Sequence, residues 1–322
     1  MGRRGSVLMT RSQATQLLKA EALRLGFMEA RVASAGFLAE EAPRLEQWLA
    51  SGFQGSMRYM ENHFDKRLDP RKLVPGAKSV VSLSFNYYSD PSGIERDNHP
   101  RIARYAYGED YHQVVKERLH ELLDALCGAI GPIEGRCFVD SAPVMERAWA
   151  ERSGLGWVGK NSLLLRKNEG SYFFLAELIV DYDFVPDLPV ADHCGSCTRC
   201  IDACPTQAIV APMVVDSGRC ISHATIELHG ALPREMADSL NPWVFGCDIC
   251  QEVCPWNSKA KAHDEPRFSP GAWVEWSLDD WRHSSQESFA AAFGRSAVAR
   301  TGLARIQRNV EAAFFSGDGQ AT

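Results

Sequence analysis

The chain has 322 residues, 45% of them hydrophobic, and a formal net charge of −6. That length and apolar content supply a real core and point to about two globular domains. The negative balance excludes a global attraction to nucleic acid or to an anionic membrane, so any polyanion has to be met by a local patch.

The opening MGRRGSVLMT pairs Arg3 with Arg4, but VLM is too short for the apolar region of a signal peptide. RSQATQLLKAEALRLGF follows with helical periodicity, with Leu17, Leu18, Leu23 and Leu25 on one apolar flank and a stop near Gly26. No run approaches the roughly 18 apolar residues of a membrane span. We therefore read a cytoplasmic protein with no membrane partner. SVVSLSFNYY has strand composition with partial alternation. YHQVVKERLHELLDALCGAI carries Val115, Leu119, Leu122 and Leu126 on one stripe with Lys116, Glu117, Glu121 and Asp124 off it, which predicts an amphipathic helix. Cys127, one turn beyond Leu123, reads as core. RCFVDSAP, NSLLLR and SYFFLAELIVDYDF read as strands, the last two joined by the turn KNEG. Asp140 follows an apolar strand and precedes a small-residue turn. It is read both as an N-cap for a helix over APVMERAWAER, with Pro143 in the first turn, and as a carboxylate placed for chemistry. Neither a Walker loop nor a G-x-G-x-x-G fingerprint occurs.

Ten cysteines in a cytoplasmic chain call for thiolate chemistry rather than a disulfide framework. Cys127 and Cys137 stand apart. HCGSCTRCIDACPTQAI reads C-x2-C-x2-C-x3-C-P, the run with which bacterial ferredoxins hold a [4Fe-4S] cluster. FGCDICQEVCPWN supplies a second C-x2-C-x3-C-P that lacks one cysteine, and Cys220 in GRCISHATIELHGALP is its natural replacement. In two-cluster ferredoxins the fourth cysteine of a run ligates the other cluster. That assigns Cys194, Cys197, Cys200 and Cys254 to one cluster, and Cys204, Cys220, Cys247 and Cys250 to the other. Zinc also takes four thiolates, but its sites usually pair two knuckles across a longer gap without a closing Cys-Pro. Pro205 and Pro255 restrict the backbone beside their ligand cysteines. Prolines 186, 189 and 205 mark the entry into this cluster domain. Further on, Arg295, Arg300, Arg305 and Arg308 fall between Ser288 and Val310 without an intervening acid. They form either a phosphate-contacting segment or an ordinary solvated helix face.

Together with RYAYGEDYH, VDSAPVMERAWAERSGLGWVGKN, RCISHATIELHGALP and RIQRNV, the paired cysteine runs carry a resemblance over nearly the whole chain. The sequence resembles the epoxyqueuosine reductases, cobalamin-dependent iron-sulfur enzymes of queuosine biosynthesis in tRNA. The resemblance implies an α+β fold: a nitroreductase-like cobalamin-binding catalytic domain over residues 1–185, a two-cluster ferredoxin-like domain over 186–262, and a short helical C-terminal region over 263–322 that contacts tRNA. It implies Asp140 as proton donor and corrin contacts at Arg67, Ala103, Asp140, Leu164, Leu175, Ser222, Gly246, Asp248 and Ile249. The last three lie beside Cys247 and Cys250, which would put the second cluster next to cobalt. The implied cofactors are cobalamin and two [4Fe-4S] clusters. The implied partners are tRNA with epoxyqueuosine at the wobble position and a low-potential donor such as flavodoxin or ferredoxin, met by a monomer. Many members carry a helical repeat extension, and this sequence ends at residue 322 without one.

Turning an epoxide into an alkene takes two electrons and two protons and releases the oxygen as water. A carboxylic acid at Asp140 would protonate that oxygen, kept protonated in the working complex by burial against corrin and substrate. DYHQVV half matches the D-x-H-x-x-G pattern that places histidine on cobalt, but Val115 replaces the glycine, so a base-off cobalamin without His112 is expected. Two other readings share the cysteines. A reductive dehalogenase would usually carry a twin-arginine signal with an apolar stretch, and a ferredoxin-type electron carrier would leave the long N-terminal domain without a task.

Overall fold

The computed structural model describes residues 9–315, so the Arg3–Arg4 pair lies outside the described residues. Up to Val180 the chain is organised around one antiparallel sheet. Its strands are β1 (Glu29–Ser34), β2 (Ser79–Asn86), β3 (Gly135–Phe138) and β4 (Phe173–Val180), in the spatial order β1-β2-β4-β3. β2 is paired on both sides and buried from Ser79 to Phe85. A strand covered on both faces has no reason to alternate, which explains its partial alternation.

The Arg11–Arg24 helix opens with a reciprocal cap in which Thr10 and Gln13 each satisfy the other's backbone N–H, an arrangement worth about 1 kcal/mol. Its buried face is Ala14, Thr15, Leu18 and Ala22; of the leucine flank Leu18 and Leu25 are core and Leu17 packs against it, while Leu23 is 58% exposed. Small residues on that face let the helix approach the sheet closely. The Tyr111–Ile130 helix is capped by Asp110 and buries Val114, Val115, Leu119, Leu122 and Leu126, as its periodicity predicts. Cys127 packs at the edge of the same core. Each fully buried aliphatic side chain there stabilises the fold by roughly 1.5–3 kcal/mol.

Two local expectations are corrected. In NSLLLR only Leu164–Leu165 is strand, and it pairs with Trp157–Val158 instead of β4. The KNEG turn closes on its own through an Arg166–Gly170 bridge, with Asn168 at φ +67°. The helix expected from Ala142 begins at Glu146, with Met145 at its cap position and no side-chain cap.

Residues beyond 262 do not make a separate layer. Trp273, Trp281, Phe293, Ile306 and Val310 share one core with Ile102, Tyr107, Ile221, Trp243 and Phe245, while Phe268 packs into the N-terminal core. The strand Trp243–Phe245 also pairs in parallel with Arg101–Ile102. The segment between the cysteine motifs is thus tied both to the Arg101–Ile102 strand and to the C-terminal residues, which sets Gly246 against Ala103. Among the described residues no helix is long and apolar enough to cross a membrane.

Candidate active site and thiol quartets

Asp140 stands two residues past the end of β3 with φ +53°, a left-handed conformation that Asp tolerates better than most residues. It caps no helix. The relation is reversed, because its backbone N–H donates to Glu146 Oε1 at 2.5 Å. Its side chain is 59% exposed, so the carboxylate faces open space from within a ring of partners. Tyr111 Oη donates to Asp140 Oδ2 at 2.6 Å, and His112 Nε2 lies 3.3 Å from the same oxygen. The other ring nitrogen of His112 is 2.6 Å from Asp110 Oδ1, and Arg300 Nη1 is 3.2 Å from His112 Nε2. Tyr111 is aimed by stacking on Phe174, with ring centroids 4.2 Å apart.

These contacts decide where the proton resides. Desolvation pushes the Asp140 carboxyl up, but the hydrogen bonds from His112 and Tyr111 outweigh it and hold the group below the usual carboxylate range. His112 moves the other way. Desolvation lowers it, and Asp110 and Asp140 together lift it to about 9. At neutral pH the pair is a carboxylate beside an imidazolium, and the expected burial of Asp140 against corrin and substrate belongs to the loaded site. The pairing also leaves His112 with both nitrogens engaged and no lone pair for a metal.

Tyr105 joins this corner to the cysteine segment. Its ring meets Tyr111 edge-on at 5.9 Å and Phe245 at 6.0 Å, and its hydroxyl is pushed well up by burial and then by Asp140 and Asp248. Next to Phe245, Gly246 has φ +69°, and a Cβ there would come within 2.5 Å of the Ala103 methyl. Ala103 donates its N–H to Phe245 O, and Gly246 donates its own to Thr225 Oγ1 at 3.0 Å. Ser222 belongs to the Ile221–Ile226 helix that carries Thr225. Arg67 is buried and braces a neighbouring turn by donating to Asn62 O and Tyr59 O. Leu164 and Leu175 belong to one small apolar cluster with Ala150 and Phe173. Asp248 is buried, and its Oδ2 accepts the Arg104 backbone N–H at 2.8 Å. Burial lifts its carboxyl to about 7 against the pull of Arg104. The Asp248 side chain therefore faces Arg104, while Ile249 opens the short Ile249–Glu252 helix.

The first cysteine run and the last cysteine of the second run come together. Cys194, Cys197, Cys200 and Cys254 line one cavity of about 260 Å³, with Lys160 and Trp256 on its walls. Lys160 Nζ pins the loop by donating to Gly195 O at 2.7 Å and Cys197 O at 2.9 Å. Burial raises the Cys254 thiol, with Cys194 and Cys197 adding to it. The other four cysteines influence one another in the same manner. Burial comes first for each of Cys220, Cys247 and Cys250, and then Cys204 acts on Cys220, Cys250 on Cys247, and Cys220 on Cys250. Thiols that raise one another are thiols whose negative charge a shared cation would relieve. Among the described residues no three His, Cys, Asp or Glu side chains gather around a single-ion site, whereas a cubane spreads its four ligands around a larger body.

Sequence spacing did not reveal Tyr111, His112 and Arg300 as partners of Asp140, nor Glu146 as the holder of its backbone. Asp110 reads as a helix cap and Tyr111 as a first-turn residue, and nothing linear links positions 112, 140 and 300.

A family model described as "Epoxyqueuosine reductase QueG, DUF1730" matches residues 67–141, and one described as "4Fe-4S double cluster binding domain" matches residues 193–257. These matches define an iron-sulfur oxidoreductase. An epoxyqueuosine reductase of Cellulophaga algicola is 52% identical over 303 residues, 94% of this chain and 98% of that one. A crystal structure of epoxyqueuosine reductase with an epoxyqueuosine-modified tRNA-Tyr stem loop superposes with a TM-score of 0.85 at 33% identity, covering 94% of this chain and 81% of that one. The Bacillus subtilis epoxyqueuosine reductase, in a structure with its aspartate catalytic loop swung out of the active site, gives 0.86 at 32%, covering 94% and 82%. The chain belongs to the epoxyqueuosine reductase family. That membership sets aside both the dehalogenase reading and the plain electron carrier.

Proposed function

We propose that this protein reduces epoxyqueuosine to queuosine in the anticodon loop of tRNA, with Asp140 and His112 handling the proton. The observation that carries the reading is the Asp140–His112 pair, open to a ligand on one side and joined through Tyr105 to the Gly246–Ile249 loop on the other. The relative crystallised with a modified stem loop supports the substrate.

A corrin needs a broad wall with few projecting side chains. Ala103 against Gly246 fits that need, since no side chain larger than hydrogen is accommodated at position 246. Arg67, Leu164, Leu175, Ser222, Asp248 and Ile249 complete the set that would hold cobalamin together with Asp140, Asp248 through its main chain. When bound, cobalamin supplies a low-potential metal centre for carbon–oxygen bond cleavage. The residues of the chain supply the proton. The Asp140 carboxylate is exposed on one side, and its Oδ2 is held on the other by Tyr111 Oη, with His112 Nε2 3.3 Å away. A proton passes from His112 through Asp140 to the departing oxygen, and the pair reloads for the second proton of the reduction. Cys194, Cys197, Cys200 and Cys254 hold one [4Fe-4S] cluster in this reading, and Cys204, Cys220, Cys247 and Cys250 hold the other. A small low-potential carrier such as flavodoxin or ferredoxin reduces the protein, which acts as a cytoplasmic monomer.

The test is anaerobic reconstitution, with iron, sulfide and cobalt content, EPR spectra, and conversion of an epoxyqueuosine stem loop measured on one preparation. Clusters and cobalt without conversion would sink the reading. The ligand partition has its own test. Cys254→Ser should damage the cluster held by Cys194, Cys197 and Cys200, and selective loss at Cys247 and Cys250 would overturn the crossed assignment.

A further inference from the structure

Lys160 and Asn161 are consecutive residues in the turn between Trp157–Val158 and Leu164–Leu165, and each reaches into a different cysteine run. Lys160 Nζ donates to Gly195 O at 2.7 Å and to Cys197 O at 2.9 Å, both in the first run. Asn161 is buried and donates its Nδ2 to Cys250 O, in the second, at 3.4 Å. One turn of the chain therefore touches both runs, but only the first receives a charge from it. An ammonium has three N–H donors, and the loop uses two. Among the described residues no carboxylate pairs with Lys160. The cavity it lines with the first quartet carries a second cation, the exposed Arg199, and no acid on its walls. The second quartet has the opposite surroundings. Asp248 stands between Cys247 and Cys250 with its side chain 2% exposed, and Arg104, 3.6 Å away, is shared with Glu95 and Glu252. Arg101 pairs with Glu95 as well, so three carboxyls meet two guanidinium groups there.

We infer that Lys160 sets the order in which the two clusters are reduced: its ammonium holds the cluster of the first cysteine run at the higher potential, so that this cluster takes the incoming electron first. The inference rests on the reading in which the two quartets hold [4Fe-4S] clusters. Each electron leaves a one-electron carrier protein, which is oxidised, and adds one negative charge to the cluster, with no bond broken and no proton moved. A cubane on four thiolates is already anionic, so that added charge is what makes reduction difficult. A cation held beside the loop, with no carboxylate to cancel it, offsets part of the cost. Asp248 gives the second cluster no such help. The reaction needs two electrons and the carrier brings them singly, so a first cluster that keeps its electron bridges the interval between two deliveries.

A redox titration of the cluster- and cobalt-loaded protein, followed by EPR, reads this without turnover. The signal altered by Cys197→Ser identifies the first cluster, and in the wild type it should have the higher midpoint. Lys160→Met removes charge and donors together. At a fixed ambient potential the ratio of reduced to oxidised first cluster should fall about tenfold, or about 59 mV for one electron, while the second midpoint stays in place. Lys160→Gln keeps a donor for the loop but no charge, and should fall with the methionine variant. Lys160→Arg keeps both and should stay within about twofold of the wild type. A wild-type midpoint in Lys160→Gln would reduce Lys160 to a pin for the loop and overturn the inference, as would a first cluster with the lower midpoint in the wild type. Should Lys160→Met fail to load the first cluster, Lys160→Gln carries the measurement, and loss of iron from both would make Lys160 a loading residue and end the inference. A wild type that shows no pair of cluster signals would sink the underlying reading instead.

Discussion

The corner around Asp140 and the arginine-bearing C-terminal helix are both rich in charge, and they use it in opposite ways. Asp140, His112, Asp110 and Arg300 confront one another beside open space, and two of their protonation states are displaced in opposite directions. In the Leu303–Phe314 helix the guanidinium groups point inward. Arg305 donates to Thr301 O and Ile226 O, both at 2.7 Å. Arg308 donates to Leu228 O, Gly230 O and Ala224 O at 2.7–2.9 Å. Apart from Thr301 O, those carbonyls belong to the C-terminal end of the Ile221–Ile226 helix and the residues after it, where a helix leaves acceptors without intrahelical donors, and Cys220 is the N-cap of the same helix. Asn309, with no exposure, finishes the seam by donating to Thr225 O and Val244 O. Arg295 pairs with Glu109. For Arg305 and Arg308, neither the phosphate-contacting reading nor the solvated-face reading survives. A run of like charge tells little about what is available to a ligand until the unsatisfied carbonyls nearby are known.

The largest effect that tests this contrast is on the Asp140 side. Asp140→Asn tolerates the left-handed backbone and still accepts from Tyr111, so fold and cluster content should persist. It can neither take nor give the proton, and conversion of the stem loop should fall by about 10²-fold to 10⁴-fold, the usual worth of a positioned general acid. Near-wild-type conversion would remove the corner from the chemistry. Next comes Arg308→Ala. Three carbonyls lose a charged donor, and unsatisfied buried acceptors cost about 1–3 kcal/mol each at most. We expect denaturant stability to fall by roughly 2–3 kcal/mol and the cluster held by Cys220 to become labile, with the salt dependence of stem-loop binding unchanged. A slope reduced by about one with stability intact would make Arg308 a phosphate contact after all.

The pH dependence separates the two regions further. His112 is raised from its ordinary 6.5 to about 9, so its ion pairing is fully in place below the lower value and is lost as pH rises through the higher one. Turnover should therefore decline toward pH 9, and His112→Gln should remove that decline while lowering turnover at neutral pH. The decline should persist in Arg308→Ala. An alkaline profile identical in the wild type and His112→Gln would take the proton reserve away from His112.

What was legible in the sequence follows the same line between local and distant causes. The cysteine runs could be read because three thiolates two residues apart are brought together by one loop. The Tyr111–Ile130 helix could be read because its stripe fits one helical face. The crossed partner Cys254 was legible only through the doubled motif, and it does line the cavity of the first run. The start of the Glu146–Arg152 helix was misplaced because a side chain captures the Asp140 backbone before the helix begins. The C-terminal region was separated from the rest because the stacking of Trp273 and Trp281 into the core of Trp243 leaves no trace in spacing. His112 reads as a metal ligand only through the half-matched DYHQVV pattern, and its actual partner Asp140 lies beyond the whole Tyr111–Ile130 helix and a strand.

The smallest effect belongs to Arg300, which sits on the boundary between the two regions. Its guanidinium reaches His112, itself an imidazolium at neutral pH, so the contact joins like charges and leaves the cation facing the site. The group is exposed and holds Asp140 and Asp110 down only as a late contributor, consistent with the modest worth of solvated charges. Arg300→Ala should leave thermal stability unchanged and conversion within about fivefold, an energy near 1 kcal/mol. If Arg300 meets a phosphate of the bound stem loop, its loss should flatten the salt dependence of binding by about one unit of slope. Arg308→Ala should give the mirror image, with stability lost and slope kept. Unchanged slope in Arg300→Ala would return this arginine to the solvated surface and leave recognition of the stem loop to other groups.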